Sequence, residues 1–112
     1  MDTIWSAKVD PILNVGYPLS DVGIRNWGLT RTQALAALDH LAAEKIAVLG
    51  GDVYEADGTM IQPAYDNWYC DRLPDETTDA FTERSISQAR AYITKYTATT
   101  QRDILFSLVP DV

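Results

Sequence analysis

Residues 46–69, IAVLGGDVYEADGTMIQPAYDNWY, constrain the fold of this chain more than any other stretch. They form its densest run of β-branched and aromatic residues. Asp57-Gly58 lies between two apolar halves, where both turn residues can take positive φ and close a two-residue hairpin of the I′ type. That turn sets a register: Ala56 opposite Thr59, Glu55 opposite Met60, Tyr54 opposite Ile61, Val53 opposite Gln62 and Asp52 opposite Pro63. Pro63 has no N–H to donate, so the ladder is expected to break or bulge near Asp52 and Pro63, with Tyr65 to Tyr69 extended beyond it. Gly50-Gly51, which follows the apolar strand segment Ile46–Leu49, allows a bulge or a sharp redirection.

The other elements arrange themselves around this run. Residues 1–29 carry large apolar side chains with poor periodicity, which reads as a leader that wraps onto the core through Trp5 and Trp27; Asp10-Pro11 suits the start of a short helix near 10–15. Thr30-x-x-Gln33 is a capping box that opens a helix running to Glu44, with Leu35, Leu38, Leu41 and Ala42 as its inner stripe. His40, the only histidine, lies beside that stripe and reads as a partly exposed helix residue. Residues 71–83 read as an exposed acidic connection around Pro74. Ser85-x-x-Gln88 is a second capping box, for a helix over Ile86–Tyr96 whose start can lie as early as Asp79; its inner stripe is Ile86, Ala89, Ile93 and Tyr96. Ile104–Val109, apolar on both faces, predicts an interior strand. Together these give an α+β fold, with two main helices packed on one face of a mainly antiparallel sheet of four to five strands.

With 112 residues the chain has room for one domain, 1–112. Cys70 is the only cysteine, so no internal disulfide can form. The start of the chain lacks the basic and apolar pattern of a secretory signal, and a cytoplasmic location is expected. Sixteen acidic against nine basic residues give a formal charge of -7. Such a charge repels phosphate backbones and anionic headgroups, which argues against nucleic acid or membrane as direct partners and favours a basic protein. The bland account of the same charge is solubility.

A catalytic centre is hard to assemble from these residues. One histidine in mid-helix and one cysteine beyond the sheet run do not make a Ser-His or Cys-His pair, and they cannot supply the four ligands of a structural zinc site. Asp52, Glu55, Asp57 and Asp66 lack the spacing of a calcium loop. Gly50-Gly51-Asp52 leads into a strand rather than a helix and carries an acid, unlike a phosphate loop. No cofactor is expected. A carboxylate pair, Asp52 and Asp66 with Tyr54 nearby, keeps open a small enzyme or ligand-binding domain with a cleft beside the hairpin. A subunit of a larger assembly is a third reading.

Two groups stand out for recognition. Tyr65-Asp66-Asn67-Trp68-Tyr69 sets an acid and an amide among three aromatics, and Gly50 to Tyr54 brings glycines, an acid and a tyrosine to the other side of the same hairpin. At these residues the chain resembles a known family. The octet Gly23 to Thr30, Ala34-Leu35, LGGDVYE at 49–55, YDNWYC at 65–70, and Ser85 with Ala91-Tyr92-Ile93 are similar to the immunity proteins numbered forty among those of bacterial polymorphic toxin systems, from about Ile12 to Val109. Gly28 departs from the pattern, which has a small residue such as alanine there. The resemblance implies binding and inhibition of a cognate toxin domain without catalysis, and the acidic surface suits a basic toxin such as a nuclease. The expected partner-binding residues are Asp52, Tyr54, Asp66, Asn67, Trp68, Tyr69, and Asp75 with Glu76 in the acidic connection.

Overall fold

The computed structural model describes residues 3–58 and 60–112. In chain order they form a short helix α1 (Asp10–Leu13), strand β1 (Tyr17–Pro18), a 3-10 turn (Ser20–Val22), strand β2 (Trp27–Gly28), helix α2 (Arg31–Ala43), strands β3 (Val48–Asp57) and β4 (Met60–Tyr69), helix α3 (Thr78–Lys95) and strand β5 (Asp103–Pro110). The fold is α+β, as the sequence predicts. Its five strands do not make one sheet, however: β4, β3 and β5 form an antiparallel sheet in that order, while β1 and β2 pair as a separate ribbon. The ribbon touches the sheet's ladder at one bridge, Leu29 with Phe106, whose amides and carbonyls bond reciprocally at 2.7 Å. That bridge explains a second difference. β5 lies at an edge of the sheet rather than inside it, and both its faces are buried because the leader covers the one that the helices do not.

Helices α2 and α3 pack on one face of the three-stranded sheet around Val48, Val53, Trp68, Phe106 and Leu108. Thr30 and Gln33 cap α2 reciprocally, as expected. The buried stripe of α2 is turned by a fraction of a turn from the predicted one: Ala34, Ala37, Leu38 and Leu41 are buried, Leu35 is partly covered and Ala42 is exposed. Ala34 and Ala37 thus share the contact with Leu38 and Leu41, and Leu35 lies at its margin. On the opposite face Leu19 of the leader packs on Tyr54 and Leu105. Asn26, buried, fixes the leader by donating to the Leu108 carbonyl at 2.9 Å and accepting from the Trp5 indole at 3.2 Å. Asp10 does not cap α1 but belongs to its first turn, and its carboxylate accepts the amides of Ile4 and Trp5 at 2.8 Å each.

Helix α3 begins well before the second capping box. Thr77 caps it by accepting from Ala80 N–H at 3.1 Å, and Ser85 is fully buried inside it. The Ser85 hydroxyl donates to the Thr82 carbonyl and accepts the Val48 amide, both at 3.0 Å. The serine therefore joins the helix to the start of β3, next to an irregularity between Val48 and Gly50 in the β3–β5 pairing.

The connection before α3 is pinned at one residue. Glu76 takes a two-pronged contact from Arg84, at 2.7 Å and 2.8 Å, and accepts the Leu73 amide at 3.0 Å. These bonds, the Arg84 ones foremost, hold its carboxyl down to about 2 from an ordinary 4.5. A depressed carboxyl stabilises the fold fully above its unfolded pKa and loses that contribution as the pH falls through the folded one. Thermal midpoints recorded across pH should thus fall more steeply between 4.5 and 2 in the natural protein than in Glu76→Gln. Parallel curves would show that the contact contributes nothing.

Candidate functional site

The hairpin turns one residue later than its sequence suggests. Asp57 pairs with Met60, Ala56 with Ile61, Glu55 with Gln62 and Tyr54 with Pro63, so the partner of each β3 residue lies two positions further along β4 than expected; Thr59, the expected partner of Ala56, lies outside the described residues. Gly58 takes the positive φ of +64°, and Asp57 remains in the strand. The expected break in the ladder is present where Pro63 comes up. After Tyr54–Pro63 the pairing resumes at Asp52–Asn67, leaving Ala64, Tyr65 and Asp66 opposite Val53 alone. This bulge adds two residues to β4 and puts Tyr65 at a φ of +64°.

Beyond the bulge the strands run closely together for a specific reason. Gly50 pairs with Tyr69 and Gly51 with Trp68, and on the other side Gly51 pairs with Leu108. A Cβ on Gly51 would collide with the Ser107 carbonyl oxygen and with the six-membered ring of Trp68, which lies across that glycine. Gly51 therefore makes room for the indole, and of the two expected effects of the double glycine the bulge is present, as the register shift between Val48 and Gly50 in the β3–β5 pairing, while the strand itself continues.

Alternation along β3 and β4 then sorts the expected binding residues between two faces. Asp52, Asn67 and Tyr69 share the face away from the helices, with Tyr54 next to them under the leader. The first three are exposed, Tyr69 by 71%. Tyr54 is buried, and that burial first, then the Asp52 charge, raises its hydroxyl pKa. Asp66 and Trp68 belong to the helix face. Trp68 is only 7% exposed and stacks on Tyr92 of α3 with ring centroids 4.6 Å apart. Asp66 accepts the Tyr96 hydroxyl at 2.6 Å. Burial, with that bond second, pushes the Tyr96 hydroxyl up to about 12. Asp75 is exposed in the connection, and Glu76 beside it is committed to Arg84.

The carboxylates proposed for acid and base work are thus on opposite sides of the sheet and do not converge. The cleft between the leader ribbon and the hairpin tip is walled by Tyr17, Pro18, Ala56, Ile61 and Leu105, without Asp52, Tyr54 or Asp66. Among the described residues no three His, Cys, Asp or Glu side chains gather to hold a metal ion. What the geometry offers instead is an open sheet end. Asp52 and Asn67 face each other across β3 and β4 beside the Tyr69 ring, and β4 has no strand on its outer side among the described residues. Tyr65 was within the aromatic group noted in sequence but outside the expected binding set. The signal that could have singled it out is the excess of β4 residues needed once Pro63 is placed opposite Tyr54.

The described residues thus form a small α+β fold with an acidic and aromatic sheet end. The family described as immunity protein 40 matches residues 18–110, most of the chain, and the chain belongs to that family. The match includes the leader from Pro18 onward, the hairpin and all of β5. No curated protein and no solved structure matches the chain.

Proposed function

We propose that this protein binds a cognate toxin domain and inhibits it by occupation alone, acting in the cytoplasm of the cell that makes the toxin. Membership of the immunity protein 40 family supports the class of function. The observation that carries the surface is the exposed row of Asp52, Asn67 and Tyr69 at the end of β3 and β4, where a carboxylate without an ion pair among the described residues stands beside a bare aromatic ring. Asp66, on the helix side of the same sheet end, and Asp75 in the connection are further exposed acids, while Tyr54, Trp68 and Glu76 contribute by holding the strands and the connection in place. The partner surface is basic, as on a nuclease, and complementary charge speeds encounter. No helix among the described residues is long and apolar enough to cross a membrane.

Co-expression with the toxin encoded beside this gene tests the reading. The natural protein should protect the cell and bind the isolated toxin domain. Asp52→Lys with Asp66→Lys should weaken binding by roughly 30-fold or more, mainly at low salt. Unchanged affinity in the double variant removes this end of the sheet from the interface, and no protection against any neighbouring gene product removes the function itself.

A further inference from the structure

Tyr65 is the residue that the fold itself does not explain. It is 87% exposed and sits at a φ of +64°, where the Cβ of an L residue crowds the following carbonyl oxygen. Glycine and asparagine take this conformation with little strain, whereas a large side chain there needs compensation. A ring this exposed returns almost none by packing. Protection of the β4 edge does not account for it either: Pro63 and the bulge already interrupt the edge, and a glycine or a lysine would serve that purpose better than a bare aromatic.

The electrostatic setting is one-sided. The three strands of the sheet contain Asp52, Glu55, Asp57, Asp66 and Asp103 and no lysine or arginine. Arg102 answers Glu55 at 3.1 Å and Asp57 at 3.8 Å. Asp66, directly after Tyr65, has no ion pair among the described residues, and the Tyr96 hydroxyl fixes its orientation. An aromatic face beside a fixed carboxylate can stack on a guanidinium or ammonium group while the acid pairs with it.

We infer that Tyr65 is the anchor by which this protein grips its toxin, its ring entering an apolar pocket rimmed by lysine or arginine side chains, with Asp66 pairing to that rim. The inference rests on the toxin-binding reading above. The strain at Tyr65 is retained because the bulge projects the ring clear of the sheet. Addition of a partner strand along β4 is disfavoured by the same bulge and by Pro63, so recognition runs through side chains rather than through an extended ladder.

Calorimetric titration with a catalytically inert toxin domain encoded beside this gene, together with thermal melting of the free protein, decides the matter. Tyr65→Gly should weaken binding roughly 30- to 1,000-fold, the range of aromatic hot spots. Its melting temperature should equal or exceed that of the natural protein, because glycine relieves the strain. Tyr65→Phe should bind within about fivefold of the natural protein, since the ring is what inserts. A natural protein that binds while Tyr65→Gly binds equally well overturns the anchor and leaves toxin binding standing. A natural protein that binds no toxin domain overturns both. A clear fall in melting temperature for Tyr65→Gly, or a dimer of the natural protein that this substitution dissociates, overturns the anchor by giving the ring a different role.

Discussion

Valine at Gly51 is expected to destabilise the fold by about 3 kcal/mol or more, and even alanine should cost on the order of 1–3 kcal/mol. Gly51 is the middle of a three-strand row, with Trp68 on one side and Leu108 on the other. Its missing side chain is what allows the row to close. A Cβ there meets the Ser107 carbonyl oxygen, which belongs to a paired strand and cannot move without breaking the ladder. The same Cβ meets the Trp68 ring, which is held from its other face by Tyr92. Neither neighbour can give way cheaply. Gly58 provides the control: it too is a glycine of the hairpin, with φ at +64°, but a Cβ on it meets nothing within 4 Å. Gly58→Asn, which tolerates that φ, should stay within about 1 kcal/mol of the natural protein. Urea unfolding of the three variants measures the contrast. A Gly51→Ala midpoint like that of Gly58→Asn would mean that β3 and β4 spread without penalty, contrary to the packing described.

These glycines mark where the sequence speaks and where it falls silent. The existence of the hairpin, the break beside Pro63, the capping box of α2 and the inner stripe of α3 through Ile86, Ala89 and Ile93 follow from local rules, and the structure contains each of them; Tyr96, expected to end that stripe, lies just past the helix in an extended conformation and is half-buried. Register did not follow, because Asp57-Gly58 and Gly58-Thr59 are both acceptable turns locally, and the two registers, whose partners differ by two residues, put the same side chains on the same faces, so alternation does not choose between them. Ser85 looked like a helix cap because its neighbours fit the pattern. Its actual partner is the Val48 amide, 37 positions away, and no local pattern encodes such a bond. The placing of the β1–β2 ribbon against β5 is of the same kind: Leu29 meets Phe106, 77 positions away, through a single bridge. For the surface, Asp52, Asn67 and Tyr69 were legible as polar and aromatic groups near an irregular hairpin end, and the structure puts them on one face. Asp66 and Trp68 were placed with them by proximity in sequence, whereas strand alternation sends both to the helix side. Tyr65 escaped because a positive φ in a non-glycine residue is visible only once the bulge has been counted.

Trp68→Ala should lower stability by about 3–5 kcal/mol, among the larger losses available to a single truncation in this protein. The indole begins a chain of aromatic contacts across the core: Trp68 stacks on Tyr92, Tyr92 lies 5.8 Å from Tyr96, and Tyr96 meets Phe106 edge-on at 5.7 Å. Its removal opens a cavity between α3 and β3, so that the strand, the helix and the bulge lose their common support together. Trp68→Phe should cost much less, about 1–2 kcal/mol, because the phenyl ring refills part of the space and the buried indole N–H, which has no hydrogen-bond partner among the described residues, is removed. Binding separates support from contact. If Trp68 acts only by holding the sheet, toxin affinity measured well below the melting temperature should fall less than tenfold in Trp68→Phe, far short of the loss expected from Asp52→Lys with Asp66→Lys. The link to Gly51 can be measured directly by combining the two sites. Alanine at position 51 should be better tolerated where residue 68 is alanine, with a coupling of at least about 0.5 kcal/mol, since one of its two collisions has disappeared. Full tolerance is not expected, because the Ser107 carbonyl oxygen is still in the way. Strict additivity would instead assign the need for glycine to the backbone of β5 alone, and the indole would then have no part in keeping the strands close.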